Sequence, residues 1–163
     1  MQPSLTSLPT WLQITLAVIP SVSALFAAAG LFLNIAQARR TSKQARAALV
    51  AKFLSDFAND DKMQNIFYRI EYGLFQYDKN FHGSEEEARL DRLLLHFANL
   101  ALAWKYGLLE NDDILPVQYI ARRLLRDDGV RNYLGFVKTF ADIAELGGHP
   151  YQALQEMGAL LGA

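Results

Sequence analysis

The chain has 163 residues, no cysteine and a formal net charge of -1 at pH 7, enough length for one ordinary domain and an attached segment. Without cysteine, disulfides and thiolate metal sites are excluded. The near-neutral total hides an uneven distribution: residues 1 to 38 hold no Asp, Glu, Lys, Arg or His, and every charged side chain lies from Arg39 onward.

Residues 1–10 read as a short outer tail. From Trp11 to Leu33 the only polar side chains are Gln13, Thr15, Ser21 and Ser23. A helix over 11–33 rises roughly 35 Å, enough to cross a hydrocarbon core of about 30 Å, so a transmembrane helix is predicted there. A buried core helix is the competing reading, but a remainder of about 120 residues would hardly cover it on all sides. A cleaved signal peptide is a second competitor, with Ala27, Ala28 and Ala29 before Gly30 as the cleavage site. Signal peptides carry positive charge before the apolar run, whereas here Arg39, Arg40, Lys43 and Arg46 follow it. The positive-inside rule therefore places the N-terminus outside and the bulk of the chain in the cytoplasm. Trp11 sits where an outer interfacial anchor belongs, and the four basic residues flank the inner side, beside anionic lipid headgroups. Pro20 removes a backbone donor in mid-span, with Ser21 and Ser23 near the freed carbonyl. Ala24, Ala27, Ala28 and Gly30 form a small-residue face for close helix packing in the membrane, which makes a homo-oligomer the expected state.

Residues 34–59 are rich in Ala, Leu, Gln, Lys and Arg, with no Pro, Gly or acidic cluster between Gly30 and Asn59, so the membrane helix is predicted to continue into the cytoplasm. Ala38, Ala45, Leu49, Phe53 and Phe57 mark an amphipathic stripe that needs a partner surface, in the same chain or another. Residues 60–163 then read as an all-helical bundle. Asn59, Asp60 and Asp61 supply a cap for a helix over about 61–76, with Met63, Ile66, Phe67, Ile70 and Leu74 as its apolar set. Residues 77–84 form a loop. Ser84 and Glu87 have capping-box spacing and open a third helix whose face of Leu90, Leu93, Leu94, Phe97, Leu100, Ala101 and Trp104 ends at Gly107. A fourth helix runs from Asn111 to about Arg126, with Pro116 in its first turn. A fifth, over about 130–146, carries Val130, Leu134, Val137, Phe140 and Ala144 and stops at Gly147 and Gly148. A short helix from Tyr151 to Leu161 closes the chain, and no segment shows strand alternation.

Catalytic patterns are thin. There is no glycine-rich phosphate loop, no nucleophile elbow and no histidine pair at helical spacing, so no metal or cofactor is expected and the chain reads as non-enzymatic. His82 and His149 read as surface residues. Arg89 and His96 resemble the loosest form of the Arg-to-His spacing in nucleases of the higher eukaryotic and prokaryotic nucleotide-binding family. That resemblance implies a membrane-tethered ribonuclease, with the histidine in acid/base work and the arginine on phosphate charge. The alternative is an exposed arginine and a half-buried histidine at the edge of the core. Arg122, Arg123 and Arg126 cluster in a way that suits nucleic acid or acidic lipid, but Asp127 and Asp128 follow at once, so a solvated face of paired charges is expected there and nucleic acid is not expected as a partner. Phe75, Tyr77 and Phe81 continue past the second helix and mark either packing within the domain, the default reading, or a contact with another subunit, a partner or a membrane surface.

Two segments, QARRTSKQARAALVAKFLSDF and LLHFANLALAWKYGLLENDDI with a closing helix containing YLGFV, resemble a bacterial family catalogued as domain of unknown function 4760. The layout is also similar to the membrane-pore accessory protein of type VI CRISPR systems. The resemblance implies a single-pass protein of the bacterial inner membrane that oligomerises, perturbs or perforates the bilayer and acts in antiviral defence. A plain membrane scaffold whose partner binds the cytoplasmic bundle is the remaining reading.

Overall fold

A computed structural model describes the backbone of residues 10–163 and the side chains of residue 31 and residues 33–163. Every regular element among them is helical. The helices are α1 (Thr10–Ala58), α2 (Asp61–Glu71), α3 (Glu85–Lys105), α4 (Gln118–Arg126), α5 (Asp128–Ile143) and α6 (Gln152–Leu161), with a 3₁₀ turn over Asn111–Val117. Two units divide the chain, residues 1–45 and 46–163.

In the first unit, every described side chain from Leu31 to Ala45 is exposed. No helix is long and apolar enough to cross a membrane among the described residues. Of the predicted span, 11–33, only the side chains of Leu31 and Leu33 are among those described, and those of Trp11, Ala24, Ala27 and Ala28, with the surroundings of Gly30, lie outside the described residues.

The second unit is built around α3, which packs against both α2 and α6. Its Leu90, Leu93, Leu94, Phe97, Ala98, Leu100 and Ala101 are buried at three- and four-residue steps, the pattern of a helix enclosed by neighbours. The end of α1 joins this core through Phe53 and Phe57, whose rings meet Phe97 edge-on. The predicted stripe shifts by one residue at its start: Val50 is buried, whereas Ala38, Ala45 and Leu49 are exposed.

Short polar caps stop and start these helices. Asp60 accepts hydrogen bonds from the Lys62 and Met63 amides, both 3.0 Å, and opens α2. The helix ends at Glu71, before the predicted 76, because the chain turns at Gly73 with φ 68°. Leu74 is therefore exposed rather than part of the core. Ser84 caps α3 by accepting from the Glu87 amide at 3.1 Å. Glu87 does not complete the box on Ser84; its carboxylate accepts from the Gly83 amide instead. At the other end, Gly107 has φ 73° and Leu108 donates to the Ala103 carbonyl at 2.9 Å, a left-handed C-terminal cap.

The predicted fourth helix divides in two. Pro116 sits inside the 3₁₀ turn, and regular α-helix starts only at Gln118. α5 ends at Ile143, with Ala144 as its cap residue, before the predicted stop at Gly147. Glu145 takes the left-handed position (φ 54°), and Leu146 donates back to the Ala141 carbonyl at 3.1 Å. The inner face of α5 is Val130, Tyr133, Leu134 and Ala141. Phe140, expected in the core, is 61% exposed.

Candidate functional site

Arg89 and His96 lie on α3, two turns apart, but their surroundings differ. Arg89 donates to Asn65 Oδ1 at 3.0 Å and to Glu85 Oε1 at 2.8 Å, so its guanidinium ties α3 to α2. It does not line the groove that holds His96. That groove, about 680 Å³, is lined by Asp56, Asp60, Asp91, Arg92, His96 and Asn99, with Met63, Ala88 and Leu95. A smaller hollow of about 200 Å³ shares Asp56, His96 and Asn99 and adds Leu49, Lys52 and Phe53. The imidazole therefore borders both.

His96 is held on two sides. Its ring stacks on Phe53, with centroids 4.0 Å apart and planes 10° from parallel. Nε2 lies 3.1 Å from the Phe53 carbonyl, which can only accept, so Nε2 carries the proton and Nδ1 is the acceptor. Burial pushes the imidazole below the ordinary histidine range, against the opposing pull of the Phe53 carbonyl, Asp56 and Asp60. A neutral imidazole with a fixed tautomer is competent as a base. Its neighbours are not suited to a phosphodiester, however. Arg92 is engaged by Asp60 at 2.6 Å, and Asp56, Asp60 and Asp91 make the lining rich in acceptors, which suits cationic or donor-bearing groups. Asp60 is held below the usual carboxylate range first by the Met63 amide, then by Arg92.

Beneath the groove, Asp91 Oδ1 accepts from the Tyr133 hydroxyl at 2.6 Å and the Tyr151 hydroxyl at 2.7 Å. One carboxylate thus links α3 to α5 and to the start of α6. Burial, followed by the hydrogen bond to Asp91, pushes both phenols well above their ordinary value. Nothing in the family model, curated-protein or solved-structure comparisons matches the chain. The site rests on its own geometry.

The other predicted residues fall in separate places. Arg39, Arg40 and Lys43 are exposed on α1. Arg46, grouped with them by sequence, has a side chain only 16% exposed and pairs with Glu110 at 3.0 Å and Asp113 at 2.7 Å, so it fastens α1 to the 3₁₀ turn. The arginine cluster of α4 is a set of helix caps: Arg122 and Arg126 donate to the Leu161 and Gly162 carbonyls, and Arg123 donates to the Glu71 carbonyl. Cations there meet the negative ends of α6 and α2. Phe75 and Phe81 are buried and meet edge-on, so the loop aromatics pack within the domain.

Sequence reasoning missed the setting of His82. Its Nδ1 is 2.9 Å from Glu87 Oε1 and its Nε2 2.9 Å from the Tyr77 hydroxyl, and its ring lies 4.3 Å from Phe136. The five-residue separation of Tyr77, His82 and Glu87 across a loop has no regular period to signal it.

Proposed function

We propose that this chain is a membrane-anchored, non-enzymatic interaction protein that assembles with copies of itself. In this reading, residues 11–33 cross the bilayer, the N-terminus faces out, and residues 60–163 form a cytoplasmic module. The observation that carries it is the surface of α1. Every described side chain from Leu31 to Ala45 is exposed, Leu31 by 63% and Ile35 by 45%. Leu31, Ile35, Ala38, Ser42 and Ala45 follow one another at four- and three-residue steps, the spacing of a helix seam that is covered by a parallel helix. The sequence carries the same step back to Ala28 and Ala24. The acceptor-rich groove at His96 offers a place for a basic segment of a protein partner.

The finer form is an oligomeric effector that perforates the bacterial inner membrane in antiviral defence. Its support is the resemblance in layout to the CRISPR accessory protein. Full-length protein is expected to stay in the membrane pellet after alkaline carbonate extraction, to run as an oligomer in detergent, and to release dye from liposomes. Extraction into the supernatant would overturn the anchor. A monomer that leaves liposomes intact would overturn the pore.

The ribonuclease reading requires Arg89 to leave Asn65 and Glu85. It predicts that His96→Ala abolishes RNA cleavage, and unchanged cleavage would end it.

A further inference from the structure

We propose that the outer face of α5 is a self-docking surface, on which α5 of a second copy of this chain lies antiparallel. The inference deepens the self-association proposed above but needs neither a membrane nor the seam on α1.

Opposite the buried face of α5, Asn132, Phe136, Thr139 and Ile143 follow at four, three and four residues, a heptad step. Leu146 continues the step just beyond the helix. All are exposed: Phe136 by 45%, Ile143 by 78% and Leu146 by 65%, with Phe140 beside them at 61%. Large apolar side chains grouped this way on a surface mark a contact, because covering them returns free energy of about 25 cal/mol per Å². Gly135 lies on the same face. A Cβ there would meet nothing within 4 Å, so no packing inside the bundle calls for glycine, although a mid-helix glycine costs about 1 kcal/mol relative to alanine. It leaves room for a second backbone to come close.

Charge selects the occupant and its direction. Asp128, Arg131, Lys138 and Asp142 all fall along one edge of the stripe. Parallel pairing would set this charged edge against the opposite edge of the second copy, which carries Phe140 and no charge, and leave the four charges unmatched. Antiparallel pairing brings the same edge of both helices together in reversed order. Seating Phe136 of one copy over Thr139 of the other puts Arg131 within about 3 Å of the axial level of Asp142 on the second copy, at both ends of the contact, with the two Lys138 side chains at nearly one level between these two attractive pairs. These groups make only exposed pairs within α5, Arg131 with Asp128 and Lys138 with Asp142 at 3.6 Å, and such pairs are readily exchanged. The charges fix direction while the apolar stripe supplies affinity. A two-fold contact of this kind closes on itself.

The chain has no cysteine, so a single introduced thiol can link only to another copy. In full-length protein held in detergent micelles, Thr139→Cys treated with a short bis-maleimide is expected to give a covalent dimer. Adding Ile143→Asp is expected to cut the yield about tenfold. The fold should be unaffected, which circular dichroism checks, since Ile143 is 78% exposed. Gln155→Cys, exposed on α6, should stay monomeric. Ala38→Cys reports the α1 seam separately. A dimer through Ala38→Cys with none through Thr139→Cys would overturn the α5 contact and leave the function proposed above standing. A Thr139→Cys dimer without one through Ala38→Cys would support the α5 contact and count against the seam. Cross-linking that is indifferent to Ile143→Asp, or equal at Gln155→Cys, would overturn the α5 contact. So would an Ile143→Asp variant that loses binding to anionic vesicles while Thr139→Cys gives no dimer, since the face would then meet lipid.

Discussion

At the scale of single residues, the core around α3 holds two polar centres with opposite responses to pH. His96 is kept neutral by burial, whereas an unfolded histidine takes up a proton near pH 6.5. Below that value the unfolded chain binds more protons than the folded one, so stability falls as pH falls through the window beneath about 6.5. Thermal melts between about pH 7 and 5 should show this decline, and His96→Gln should flatten it while keeping a donor for the Phe53 carbonyl. Tyr133 and Tyr151 respond at the alkaline end. Their phenols ionise later when folded than when unfolded, so the stability they contribute is complete below about pH 10 and is lost as pH rises above it. Tyr133→Phe removes one of the two hydroxyls on Asp91 and should cost about 1.5–3 kcal/mol at neutral pH in denaturant unfolding. An unchanged midpoint would mean that the Asp91 bond contributes nothing net.

At the scale of elements, close approach decides more than propensity does. α6 meets α4 at Gly158, where a Cβ would lie 2.2 Å from Leu125 Cδ1. Gly158→Ala gains helix propensity yet forces Leu125 aside, and should destabilise by about 1–3 kcal/mol in equilibrium unfolding. The elements themselves were legible from sequence because their signals are local: Asp60 and Ser84 cap where capping residues are expected, and the α3 face is buried nearly as its periodicity predicts. Where reading failed, the deciding partner lay far along the chain or the signal was ambiguous. Arg46 looks like part of a membrane collar until Glu110 and Asp113 fold against it. Phe140 follows the spacing of the α5 core but faces outward. Glu145 ends that helix in a left-handed conformation that its residue type does not announce.

For the whole molecule, the candidate groove was half visible. His96 stands out as a lone histidine in an apolar helix, with Arg92 and Asn99 one turn away on the same helix, but Asp56 and Asp60 join it only when the end of α1 and the start of α2 come to rest beside α3. No spacing in one helix announces that meeting. The long-range ties have a further consequence, seen in the three arginines of α4. They reach the last carbonyls of α2 and α6, helices that are distant from each other in sequence. Opening α4 would release both ends at once, so the unit should breathe as one cooperative block rather than fray helix by helix. In native-state hydrogen exchange, amides near the ends of α2 and α6 should share one opening free energy, and Arg123→Met should lower the protection of both. Loss confined to α2 would mean that the two ends open independently.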